Sequence, residues 1–342
     1  MGDPDTLFLI TNYLYTMDTV NLKWGEIPEI QDNTQFFGTD SWYRSLKCLA
    51  LLYRWKLIQG EDAVIPLLRL HRYWSAQQHY QANNKLLDQL IKIWPIKNRK
   101  TRIWACLHIG PYGMIARALM LMGYKVAVLL RADVFEEQER IYRDQYRLSF
   151  GREADESDLI FIKADVGNPL LKLKEALQNG FQIIVFVDGQ LGFGDLRKGW
   201  ASVRLHGADF LLREGIAALS HWTDTPITAL VLTRIGEQIG LRVSEDFYVK
   251  SRAHYAAAMQ HVIDLVQVLD AEELLQWECL PTIFDKGQAE LSDRYPEQGV
   301  WLPLLVVSKG MLFDIATGRA LRIGPKTFEI ACRKFQELGV TI

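Results

Sequence analysis

Apolar positions along this chain change their period as it proceeds. Between residues 40 and 90 they recur at three and four: Leu46, Leu49 and Tyr53 form one stripe, and Val64, Leu67, Leu68 and His71 a second. That spacing predicts helices, the first capped by Asp40-Ser41. Residues 1–40 alternate only weakly and carry Pro4, Gly25, Pro28 and Gly38, so irregular chain with short helical pieces is expected. From about residue 100, apolar runs of strand length alternate with helical stretches. Strands are expected over 103–108, 125–130, 159–162, 182–187, 227–233 and 239–243, and helices near 112–122, 134–150, 168–179 and 208–222. Asn168-Pro169 supplies a cap with proline at the first helical position, and Asn179-Gly180 a stop. Helical segments follow at 252–270 and 271–278.

This alternation predicts an α/β protein with a mostly parallel central sheet flanked by helices. An N-terminal helical segment would precede it, and a small β-meander plus helix would follow. The meander is expected as strands over 304–308, 311–315 and 320–323, turning at Lys309-Gly310 and Thr317-Gly318, with Pro325 opening the last helix. The expected divisions are 1–98, 99–299 and 300–342.

Composition narrows the function classes. At 342 residues, 49% apolar and 23% charged, the chain can bury a large core. A formal net charge of -2 gives no bulk attraction to nucleic acid, which is not an expected partner. Cys48, Cys106, Cys279 and Cys332 are widely spaced with no CxxC pair, so reduced thiols in the cytoplasm are expected, with no metal site. The opening Met1-Gly-Asp-Pro has no basic region, residues 7–14 are too short and polar for a signal peptide, and no run approaches the ~20 apolar residues of a spanning helix. Residues 42–56 mix aromatics, leucines and cations at helical spacing. A packed helix with its cations outward fits them better than a membrane surface, so peripheral membrane contact is not expected. Trp74, Trp94 and Trp104 fit core packing.

Three segments carry candidate chemistry. His108 ends the apolar run beginning at Ile103 and opens the loop Gly110-Pro111-Tyr112-Gly113 before a helix. An imidazole there is either a general base or a histidine satisfied at a strand end. Asp188-Gly189-Gln190-Leu191-Gly192 follows the apolar run 183–187. At a strand's carboxyl end, where α/β sheets collect ligands, its aspartate could orient His108, or merely cap a turn. A loop from His206, a helix containing Gly215, Ala217 and Ala218, and a strand after Thr225-Pro226 read on their own as core. Cys106 would share a strand face with His108, which makes a cysteine–histidine pair conceivable, but a small core residue is the simpler reading.

In order and spacing these segments resemble the lysophospholipid acyltransferase superfamily, closest to its lipid A late-acyltransferase branch. His108-Ile109-Gly110-Pro111-Tyr112 matches the branch's His-x4-acid setting up to the acid, and Asp188–Gly192 its aspartate-rich turn. Tyr142-Arg143 with Arg147 is similar to its arginine-bearing helix, and residues 271–277 to its closing segment. The resemblance covers roughly 100–280. It implies an acyltransferase that takes an acyl group from the phosphopantetheine thioester of an acyl carrier protein, or from acyl-CoA, with no cofactor of its own. His108 would be the base and Asp188 an orienting acid. Gly110, Tyr112, Gly113, Arg131, Arg147, Gly189, Gln190, Gly192 and Arg204 would line the substrate site, with backbone N–H groups around Gly110–Gly113 or Gly189–Gly192 facing the oxyanion. Arg131, Lys163, Arg197, Lys198 and Arg204 fall near expected strand ends or the glycine turn, where they are either a cluster suited to phosphate or an acidic carrier or a scattered solvated surface.

The chain departs from the family at the acid of the motif, where Gly113 stands, and at the hydrophobic anchor of its membrane members. Both departures point toward a specialised biosynthetic pathway with a carrier-tethered, peptide or small-molecule partner. Without the usual acid an amine acceptor is favoured over a hydroxyl, unless Asp188 substitutes. The other reading is a degenerate acyltransferase fold that binds acyl carriers as a scaffold. An edge of the C-terminal meander could also add a peptide strand.

Overall fold

β1 (Ile103–Cys106), buried at all four positions, lies inside a six-stranded sheet. The computed structural model describes residues 34–58, 62–76, 84–96, 98–189, 199–283 and 300–337. Most of the stretch 1–40 therefore lies outside the described residues, as do Gln190, Gly192, Arg197 and Lys198. The sheet contains β2 (Val126–Leu130), β3 (Leu159–Lys163), β4 (Gln182–Phe186), β7 (Ile227–Ile235) and β8 (Gln238–Val243), in the order β3-β2-β4-β1-β7-β8. All neighbours pair parallel except β8, which returns antiparallel along β7. The continuous apolar runs of β1, β4 and β7 follow from this, because a strand covered on both faces has no polar side to show.

Helices cover both faces. α3 (Asn84–Ile93), α4 (Met114–Leu121) and α5 (Phe135–Phe150) pack in series on one, over Trp104, Val128, Ile184 and Leu230. α6 (Pro169–Gln178), α7 (Gly215–Thr223) and α8 (Tyr255–Gln267) pack on the other. α6 begins as expected: the Asn168 side chain accepts from Leu171 N–H, and Pro169 stands where no intrahelical donor is needed. These elements belong to one of two compact units, drawn from Gln77–Leu269 and Gln276–Cys279.

The helix expected over 208–222 is corrected. Trp200–Leu205 (β5) and Ala208–Arg213 (β6) form a hairpin, and α7 starts only at Gly215. Its turn is His206-Gly207, with φ of 47° and 81°, the paired positive angles of a two-residue hairpin turn. Ala201, Val203 and Leu205 are buried while Ser202 and Arg204 are exposed, a strict period of two.

The second unit draws on Met1–Ala76, Asp270–Leu275 and Leu280–Ile342. It holds α1 (Asp40–Arg54), α2 (Val64–Ala76), the short α9 (Ala271–Leu274) and α10 (Leu280–Ile283), and a meander of β9 (Trp301–Val306), β10 (Lys309–Asp314) and β11 (Arg319–Arg322) closed by α11 (Pro325–Glu337). The expected α9 over 271–278 thus shortens to one turn. The N-cap of α1 is Thr39, whose side chain accepts from Trp42 N–H, one residue before the expected cap. Buried Trp42 donates its indole N–H to Pro303 O at 2.7 Å and packs edge-on against Phe37 and Phe335. The first meander turn falls at Val307-Ser308, both at positive φ, so Lys309-Gly310 lies in β10. A Cβ on Gly310 would come within 2.5 Å of the Phe328 ring, so glycine there is explained by close packing. Among the described residues no helix is long and apolar enough to cross a membrane.

Candidate active site

β1 and β4 are parallel neighbours, with Cys106 opposite Phe186. Two residues beyond each, past the strands' carboxyl ends, stand His108 and Asp188. Opposed residues of parallel strands project from the same face, so the register alone sets carboxylate beside imidazole. His108 Nδ1 lies 2.8 Å from Asp188 Oδ1, and the His108 backbone N–H donates to Oδ2 at 2.9 Å. Trp277 Nε1–H donates to the same Oδ2 at 2.6 Å.

The Asp188 side chain is wholly buried, whereas that of His108 is 22% exposed. Burial alone would push the Asp188 carboxyl up. The facing His108 and the three donors outweigh burial and hold it below the usual carboxylate range. Burial likewise opposes charge on His108, but the Asp188 carboxylate, with help from Glu278, leaves the imidazole more basic than usual. An ionised carboxylate at Nδ1 keeps the proton there and directs the Nε2 lone pair outward. Among the described residues no group hydrogen-bonds Nε2. Phe186 at 4.5 Å and Tyr112 at 4.8 Å between centroids flank the ring on two sides.

A strap, Gln276–Cys279, crosses this edge. Its backbone takes the Gly110 N–H at Gln276 O and gives the Glu278 N–H to His108 O. Gln276's amide brackets the backbone of Arg234 at the end of β7, with both contacts at 2.7 Å. Glu278 accepts from Tyr112 OH at 2.6 Å, and burial with this contact pushes the phenol's pKa up. Cys279 Sγ comes to 3.9 Å from His108 Nδ1. Residues 271–277 stood out in the sequence for their resemblance, but nothing local marked Trp277, Glu278 or Cys279 as part of a site.

The remaining expected residues fall into three groups. Gly110 (φ 58°), Tyr112, Gly113 and Gly189 surround the dyad. Gly110 needs its freedom, because a Cβ there would sit 2.6 Å from Leu232 O. Two expected oxyanion donors are already used: Gly110 N–H bonds Gln276 O, and Gly189 N–H bonds Phe186 O. The N–H groups of Tyr112 and Gly113, at the start of α4, donate to no described group. Arg131 and Lys163 end β2 and β3 on the same sheet edge, Arg131 paired with Asp133 at 2.6 Å and Lys163 over the Phe135 ring. Arg147 and Arg204 are engaged elsewhere. Arg147 pairs with Asp144 and Glu153 on the surface around α5, and Arg204 grips Asp209 across the β5–β6 hairpin. Cys106 forms no pair with His108. It is buried among the residues under α3–α5, its thiol's pKa is pushed up by burial, and its Sγ–H points at Trp104 O.

The chain matches no protein-family model and no curated protein. Fold and site together define a class: an α/β protein with a histidine on a buried aspartate at the carboxyl edge of a parallel sheet.

Proposed function

We propose that the protein is an acyltransferase, moving an acyl group from a carrier-protein or CoA thioester to an amine or hydroxyl acceptor. The single observation that carries this is the His108–Asp188 pair. The acid missing at Gly113 is replaced, from a different strand, by a carboxylate bonded to Nδ1 at 2.8 Å. The order of motifs along residues 100–280 supports the acyl-transfer chemistry.

In this reading Nε2 of His108 takes the acceptor's proton as nitrogen or oxygen attacks the thioester carbonyl. The N–H groups of Tyr112 and Gly113, at the positive end of α4, face the developing oxyanion. The new C–N or C–O bond forms, the C–S bond breaks, and the imidazolium returns its proton to the departing thiolate. Asp188 keeps the tautomer and stabilises the imidazolium, so a hydroxyl acceptor is served as well as an amine. Arg131 and Lys163 are the cations best placed for a phosphate of the donor. A cytoplasmic role in a specialised biosynthetic pathway follows from the same reading.

The test is turnover of acyl-CoA and acyl-carrier thioesters with amine and alcohol acceptors. His108→Ala should abolish turnover, and Asp188→Asn should lower kcat by roughly 10²–10⁴. Tight thioester binding with no turnover in the wild type would replace the enzyme by the scaffold reading. Normal turnover in Asp188→Asn would remove the aspartate's role.

A further inference from the structure

Cys279 has no part in the chemistry above, yet it is the only cysteine that is not buried. Its sulfur lies 3.9 Å from His108 Nδ1, which lies 2.8 Å from Asp188 Oδ1, and one ligand atom from each of the three residues falls within 4.8 Å of the other two. We propose that His108, Asp188 and Cys279 bind one soft divalent transition ion of the zinc kind, with solvent as the fourth ligand.

The donor set decides the ion class. Thiolate, imidazole and a single carboxylate suit zinc, whereas magnesium and calcium take oxygen ligands. Zinc bonds of roughly 2.0–2.3 Å place tetrahedral ligand atoms about 3.3–3.6 Å apart. The 2.8 Å between Nδ1 and Oδ1 must open somewhat, and the 3.9 Å between Nδ1 and Sγ must close a little. His108 and Cys279 are both partly exposed and can supply these small movements, while Asp188 stays anchored. The supporting shell is already built: Oδ2 of Asp188 is held by Trp277 and the His108 N–H, as ligating carboxylates commonly are.

The ion and the Nδ1–H···Oδ1 bond exclude each other. Metal on Nδ1 leaves the ring proton on Nε2, so a loaded His108 has no lone pair to offer an acceptor. Zinc would therefore switch the enzyme off. That consequence rests on the acyl-transfer reading; the binding itself does not.

The test is titration of the full, reduced chain with cobalt(II), followed by absorption. One equivalent should produce a near-ultraviolet sulfur-to-cobalt charge-transfer band and visible bands of four-coordinate intensity, which added zinc abolishes. Cys279→Ser should lose the charge-transfer band and weaken binding by more than the ~10–100-fold expected for the outer partner in Trp277→Phe. Alkylation of Cys279 in the native wild type, located by mass, should have the same effect and needs no refolded variant. No band in the wild type, or a band that survives both treatments, overturns the proposal. Zinc should also stop thioester turnover, with chelation restoring it. Absent turnover beside an intact cobalt band would reject the acyltransferase and leave the metal site standing.

Discussion

Trp277 Nε1 and Asp188 Oδ2 are 2.6 Å apart inside the core, and this bond frees Oδ1 for His108. A buried carboxylate needs several donors to stay ionised, and among the described residues Asp188 has three. Trp277→Phe removes one while keeping most of the packing. The unmet oxygen should cost about 1–3 kcal/mol of stability. If the proposed acyl transfer holds, kcat should fall about 10–100-fold with KM nearly constant, because a looser Asp188 harms the imidazolium more than substrate binding. The low-field proton resonance of the Nδ1–H bond should weaken or move. Equal losses in kcat and KM, with that resonance unchanged, would mean the tryptophan is only packing.

How far the site could be read from sequence depends on distance along the chain. His108 and Asp188 were legible because each ends an apolar run, and carboxyl ends of parallel strands meet at one edge. Trp277 and Cys279 were not, since they reach the dyad across 89 and 171 residues and no local period encodes that approach. The fold shows the same contrast. Continuous apolar runs mark the five parallel strands, whereas Ala208, Phe210, Leu211 and Leu212 have a helix-like spacing in sequence and show strand alternation only in their burial. The positive φ at His206-Gly207 is the local cause that such a run obscures.

Gly110 should resist any substitution. At φ 58° an L side chain already costs about 1–2 kcal/mol. The added Cβ would also press to 2.6 Å from Leu232 O and 3.0 Å from Thr233 Cα, which are backbone and cannot rotate away. Gly110→Ala should therefore lower the unfolding free energy by at least about 2 kcal/mol in urea. On the proposed acyl transfer, its surviving folded fraction should also turn over slowly, because the loop carrying Tyr112 and Gly113 must shift. A fully active, equally stable variant would contradict the close approach.

Val307 presents the opposite case. It sits at φ 47° in the first meander turn, 85% exposed, where a β-branched residue gains no burial and meets backbone strain. Asparagine tolerates this region well, and paired positive angles favour it. Val307→Asn should raise the unfolding free energy by about 0.5–1.5 kcal/mol, read as a higher urea midpoint at constant m. A lower midpoint would mean that Val307 makes stabilising contacts its exposure does not suggest.

His71 gives the second unit an acid sensitivity of its own. Its ring is buried on α2, with Nδ1 2.8 Å from Ser45 Oγ, and Ser45 in turn donates to Ser41 O. Burial, then the cations Arg44 and Arg72, hold the imidazole neutral and lower its pKa to about 4. The unfolded chain binds that proton near pH 6.5, so between about 6.5 and 4 the unfolded state carries more protons than the folded one. Stability from this group is then complete above pH 6.5 and is lost as pH falls toward 4, to a total on the order of 3 kcal/mol. His71→Gln cannot titrate but can still donate to Ser45. Its urea unfolding free energy should therefore change less steeply than the wild type's across that window, and matching slopes would show that His71 is already charged in the folded protein.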